Sequence, residues 1–140
     1  MKLTSTFLAL ALALPVWAQT GTVLFQVEGI DIKKGGELSA GVFTEANFPK
    51  VGQQERGMEI RVTATRMEFR LTQVPAGTYG AAVFQDVDKN KDLKTNFIGL
   101  PQEPIGFSND ARIRLGPPSF ADAQFRVEAN QETIIKIILR

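Results

Sequence analysis

Apolar and polar side chains alternate along most of the chain, and the alternation has the two-residue period of half-buried strands. Val23, Phe25 and Val27 share one parity and Gln26 and Glu28 the other, which predicts a strand over Thr22 to Glu28. Lys33-Lys34-Gly35-Gly36 reads as a turn. Leu38, Ala40 and Val42 then alternate within a second strand, Glu37 to Thr44. Glu45 to Gly57 is polar and broken by Pro49 and Gly52, so it reads as a loop with Phe48 tucked inward. Ile60, Val62 and Ala64 face inward along Glu59 to Thr65, and Phe69 and Leu71 along Met67 to Val74. Pro75-Ala76-Gly77 is a turn, because proline presets φ and glycine accepts positive φ. Thr78 to Gln85 is apolar on both faces, which predicts a central strand. After an insert from Asp86 to Ala121, Phe125 and Val127 alternate within Ala123 to Glu128, and Thr133 to Leu139 is a final β-branched strand.

Seven short strands with frequent turns and no helical period argue for an all-β, antiparallel sandwich of the immunoglobulin-like or transthyretin-like kind, with a barrel as the alternative closure. At 140 residues the chain fits one domain, 19–140, after a leader at 1–18. Lys2, the apolar run Phe7 to Leu14 and the small residues Val16 and Ala18 read as a signal peptide cut near Ala18-Gln19. The run is too short to cross a bilayer, and no later run predicts a membrane span. The expected location is therefore the periplasm or the exterior of the cell. Removing Lys2 from 16 basic residues leaves 15 against 15 acidic, a formal net charge of zero without the basic footprint of a nucleic-acid binder. Histidine and cysteine are absent. That excludes Ser-His-Asp and Cys-His catalysis, disulfide staples and the usual zinc ligands, and it leaves oxygen donors for any metal.

The insert carries the chemistry. Oxygen-bearing side chains recur at every second position, Asp86, Asp88, Asn90 and Asp92, the spacing with which a loop aims several oxygens at one hard cation. Asn96 or Glu103 is the candidate ligand from beyond the loop. The EF-hand pattern asks for Gly at its sixth position and Glu at its twelfth, and here these are Lys91 and Phe97. The alternative is a solvated loop whose Asp and Asn side chains hydrogen-bond their own backbone. Calcium is thus the candidate cofactor. The Gly-, Pro- and Phe-rich runs Gly99 to Asn109 and Leu115 to Phe120 have two readings. They either cap one end of the sandwich with phenylalanines in its core, or present a surface to a protein or carbohydrate ligand. The expected role is a non-catalytic binding or structural module. The competing class is a small exported hydrolase pairing Asp86 or Asp88 with Glu103.

Tyr79 through Asp86, then Asp88, Asn90 and Leu93, the run Asn96-Phe97-Ile98-Gly99-Leu100-Pro101, Glu103 to Asn109 and Gly116-Pro117-Pro118-Ser119-Phe120 resemble the DUF2141 family of uncharacterised exported bacterial proteins. The resemblance covers essentially the whole chain after the leader, and its most specific part is the Gly-x-Pro-x-Glu-Pro-x-Gly-Phe-Ser-Asn run from Gly99 to Asn109. The turn Pro75-Ala76-Gly77-Thr78-Tyr79 is similar to that of transthyretin-like and carboxypeptidase-regulatory sandwiches. The family implies no activity and no catalytic residues. The chain departs from its pattern at Lys94, where an acidic residue is usual, and at Asp92, where a basic or neutral one is. Both departures imply a weakened or rearranged form of any calcium site the family shares.

Overall fold

The computed structural model describes residue 4, residues 19–93 and residues 101–140. The leader, apart from Thr4, and Lys94, Asn96, Phe97, Ile98 and Leu100 lie outside the described residues. Among the described residues eight strands form two sheets: β1 Thr20–Glu28, β2 Glu37–Phe43, β3 Arg56–Arg61, β4 Met67–Pro75, β5 Gly77–Asp86, β6 Ile105–Phe107, β7 Phe125–Val127 and β8 Glu132–Ile138. One sheet has the order β4-β1-β8, with β8 parallel to β1 and β4 antiparallel to it. The other has the order β3-β2-β5-β6, with β7 beside the start of β5. Every pairing in the second sheet is antiparallel.

The alternation read from the sequence sets the packing. Val23, Phe25 and Val27 of β1 face Leu38, Val42, Ala81 and Val83 in one inter-sheet core, where Phe25 stacks on Phe69 at 5.1 Å between ring centroids. β5 is the central strand of its sheet and is buried from Tyr79 to Asp86. Its opposite parity supports a second apolar layer outside the sheet: Phe43, Phe48, Ala82, Phe107 and Ala123, flanked by Phe120, Ile105 and Ile113.

The structure corrects the sequence reading at four places. The eighth strand, β6, lies inside the stretch read as an insert and pairs with β5 through Ala82–Phe107 and Phe84–Ile105. The aromatic run accordingly covers the outer face of the second sheet and does not plug an end of the inter-sheet core. β3 spans Arg56–Arg61, so it starts inside the polar stretch read as a loop. It stops early because residues 62–66 must cross from the second sheet to β4 in the first. Finally, Phe120–Ala123 forms one helical turn before β7, capped by the Ser119 side chain, which accepts from the Asp122 amide at 3.2 Å.

Tyr79 fixes the turn between β4 and β5. Its hydroxyl donates to the Pro75 carbonyl at 2.6 Å, the tyrosine-corner arrangement of β-sandwich domains. Burial, seconded by the charge of Glu55, pushes the Tyr79 hydroxyl above its ordinary value of 10.0. The folded state thus holds this proton more tightly than the unfolded chain. The resulting stabilisation is complete below pH 10 and is lost as the pH rises from there through the folded value. Tyr79→Phe is expected to cost about 1 kcal/mol at neutral pH through the lost hydrogen bond. It should also flatten the alkaline decline in melting temperature. A variant with the parent's alkaline profile would show that another group titrates there.

Candidate metal centre

β5 delivers Asp86 to its position. Asp86 is fully buried and is the last residue of the strand, paired with Glu37 on β2. Two features hold the neighbouring β1–β2 turn against it. Gly36, at φ 78°, lies where a β-carbon would strike the Asp86 carbonyl oxygen and crowd Val87, so a side chain there would push the turn away. Gln85, also fully buried, donates its amide to the carbonyls of Asp31 and Gly35, each at 2.7 Å, and accepts from the Asp31 amide at 3.0 Å. The alternation that points Tyr79, Ala81 and Val83 inward points Gln85 inward too. A polar residue at a core position was therefore the legible sign of this clamp, which the sequence reading missed.

Beyond the strand the chain curls back over the Asp86 carboxylate. Oδ1 accepts from the Asn90 amide at 3.2 Å and Oδ2 from the Lys91 amide at 2.6 Å. Lys89 and Lys91 take left-handed conformations, φ 57° and 62°. Lys91 thus supplies, without a glycine, the turn that an EF-hand loop makes at its sixth position. Asp88 accepts from the Asn90 side chain at 3.3 Å, and Asn90 Oδ1 accepts from the Asp92 amide at 2.9 Å. The Asx-turn reading of the loop is therefore correct as far as it goes, and it does not account for Glu103.

Glu103 arrives from the far side of the insert. The Gln85 amide donates to the Pro104 carbonyl at 2.9 Å, extending the β5–β6 ladder by one step. That step sets Glu103 beside Val87, whose amide donates to Glu103 Oε2 at 2.9 Å. Glu103 is 6 % exposed. Ligand atoms of Asp86, Asp88 and Glu103 all lie within 4.8 Å of one another, close enough for a single metal ion to touch all three. Each carboxylate oxygen has two lone pairs, so the amide bonds leave capacity for a cation. Asp92 is not in this group, and Asn96 lies outside the described residues.

The rest of the Glu103 to Asn109 run has structural work. Gly106 faces β8, and a β-carbon there would strike the Ile138 carbonyl oxygen. Phe107 is 4 % exposed in the outer layer. The buried Ser108 hydroxyl accepts from the Ala81 amide at 2.9 Å and donates to the Ala123 carbonyl. The Asn109 side chain donates to the carbonyls of Asp122 and Gln124 at 3.2 and 2.9 Å. The run thus binds β5, β8 and the helical turn together while bringing Glu103 to Asp86.

Among the described residues no helix is long and apolar enough to cross a membrane. No curated protein and no solved structure matches the chain. A family model described as "Uncharacterized protein conserved in bacteria (DUF2141)" matches residues 25–136, a span that includes seven of the eight strands in full or nearly so and all three clustered carboxylates. The chain belongs to the DUF2141 family.

Proposed function

We propose that this protein is an exported, non-catalytic β-sandwich module whose Asp86 loop is organised by calcium, and whose neighbouring loops meet a protein or carbohydrate ligand. The observation that carries this reading is the convergence of Asp86, Asp88 and Glu103 from two segments of the insert. Three carboxylates so close repel one another, and a divalent cation relieves the repulsion. The donors are hard oxygens, the chain has no histidine or cysteine, and the loop is irregular. Together these suit calcium better than zinc, and better than magnesium, which demands tight octahedral geometry and dehydrates reluctantly. Export rests on the leader pattern at residues 1–18. The non-catalytic reading is supported by Asp86, which is fully buried with both oxygens engaged by backbone amides.

The test is the melting temperature of residues 19–140 in chelator, in calcium and in magnesium. A site of extracellular type, with a dissociation constant on the order of 10⁻⁴–10⁻³ M, stabilises the fold by about 1.4 kcal/mol at ten times that concentration. Calcium should raise the melting temperature and magnesium should raise it less. Identical melting in chelator and in several millimolar calcium would refute the calcium reading. Lys91→Gly is expected to tighten calcium binding several-fold, because it removes a positive charge from the loop while the left-handed conformation that the free loop already holds is kept. Calcium titrations of the two proteins compare this directly, and unchanged or weaker binding would mean that the charge does not act on the ion.

A further inference from the structure

A second site lies away from the carboxylate cluster, where β6, residues 110–113 and the end of β8 meet. A cleft of about 360 Å³ opens there, within the roughly 300–1,000 Å³ usual for small-molecule pockets. Its lining is mixed: the apolar side chains of Ile105, Phe107, Ala111, Ile113 and Ile138 stand beside the charged side chains of Asp110, Arg112 and Arg140. Arg112 donates to Asp110 Oδ2 at 3.1 Å, and Arg140 donates to Asp110 Oδ1 and Oδ2 at 3.3 and 3.1 Å. Two guanidiniums share the one side-chain carboxylate of Asp110. Each guanidinium has five N–H donors, and only part of that capacity is spent on Asp110.

The arrangement is held in place before any ligand arrives. Asn109 and Asp110 both take left-handed conformations, φ 58° and 50°, and the Asn109 side chain is tied to the carbonyls of Asp122 and Gln124. Arg140 is anchored by its backbone, whose amide donates to the Ile105 carbonyl at 3.0 Å while its backbone oxygen accepts from the Ile105 amide at 3.2 Å. Burial alone would raise the Asp110 carboxyl, but hydrogen bonds from Arg112 and Arg140 outweigh it and hold the group below the ordinary carboxylate range. Asp110 therefore stays ionised and keeps both guanidiniums at the cleft.

We infer that this cleft binds a small amphipathic carboxylate, its acidic head on the Arg112 and Arg140 guanidiniums and its apolar chain against Ile105, Ile113 and Ile138. The planar guanidinium fork matches a carboxylate, and the apolar side chains reward a short hydrocarbon chain.

The test titrates isotopically labelled protein, residues 19–140, with octanoate below its micelle concentration, and in parallel with octan-1-ol and with acetate. Amide resonances of residues 105–113 and 138–140 should shift saturably with octanoate. Octan-1-ol and acetate should each bind at least tenfold more weakly, the first for want of charge and the second for want of a chain. Arg112→Gln should weaken octanoate about tenfold and leave octan-1-ol unchanged. Equal binding of octanoate and octan-1-ol would overturn the inference, because the cleft would then be only an apolar patch. Equal binding of octanoate and acetate would overturn it too, as would shifts centred elsewhere or no saturation in the parent. The parent's shift map decides the matter even if the variant folds poorly.

Discussion

Phe107→Ala is expected to lower folding stability by about 3–5 kcal/mol, which would make it one of the most damaging single substitutions in the chain. Phe107 is 4 % exposed and sits opposite Ala82 on the outer face of β5, edge-on to Phe48 with centroids 6.0 Å apart. Phe48 meets Phe43 and Phe120 in the same edge-on manner, at 6.1 and 6.0 Å. Phe48 is the hub of these contacts, and removing the Phe107 ring takes away one of its three edge-on partners. β6 is only three residues long, and Phe107 is its one fully packed side chain in the outer layer. The layer lies outside the sheet, so partial collapse is possible, and the loss should fall toward the lower end of the range. A shift of the urea midpoint at unchanged slope measures it. An unchanged midpoint would mean that the outer layer contributes nothing to the fold.

The sequence made this layer hard to see and the inter-sheet core easy. A strand is legible when alternation continues long enough to be counted, as in β1, β2, β4 and β8. β6 offers only Ile105-Gly106-Phe107, with Pro104 just before it and a glycine at its centre. That glycine exists because β8 comes too close for a side chain, which is a tertiary fact. The start of β3 at Arg56-Gly57 has no apolar pattern, because its partner Gly41 and the overlying Gln54 leave room for none. The helical turn at Phe120 was legible in principle: Ser119 followed three residues later by Asp122 is a capping signature. For the candidate site, the spacing of Asp86, Asp88, Asn90 and Asp92 pointed to the right loop. The choice among them depends on Glu103, which the β5–β6 register places beside Asp86, and register across seventeen residues is not written in spacing.

The second large effect is expected at Asp86. In chelator, Asp86→Ala removes two charge-assisted hydrogen bonds from the Asn90 and Lys91 amides. Each is worth about 1.5–3 kcal/mol, but both amides belong to exposed residues and can turn to water. Relief of the repulsion from Asp88 and Glu103 works in the same direction as that rehydration. The net loss should be about 2–3 kcal/mol. Asp88→Ala removes an exposed carboxylate whose hydrogen bonds, 3.3 and 3.4 Å, are long. In chelator it should change stability by no more than about 0.5 kcal/mol. In calcium both variants should lose the added stability of the parent. Chemical denaturation of the three proteins in each condition separates these contributions. If Asp88→Ala costs as much as Asp86→Ala in chelator, Asp88 is a structural brace and the division of labour proposed for the loop is wrong.

The central claim is that Asp86, Asp88 and Glu103 together hold one divalent cation, and calcium titration calorimetry of the parent and of Glu103→Gln tests it most directly. The glutamine keeps an acceptor for the Val87 amide, so the loop retains its anchor while losing one negative charge. The parent should bind one calcium per chain with a dissociation constant on the order of 10⁻⁴–10⁻³ M, and Glu103→Gln should bind at least tenfold more weakly with an unchanged fold. A parent with no saturable calcium binding at several millimolar, or a Glu103→Gln variant that binds as tightly as the parent, would contradict the claim.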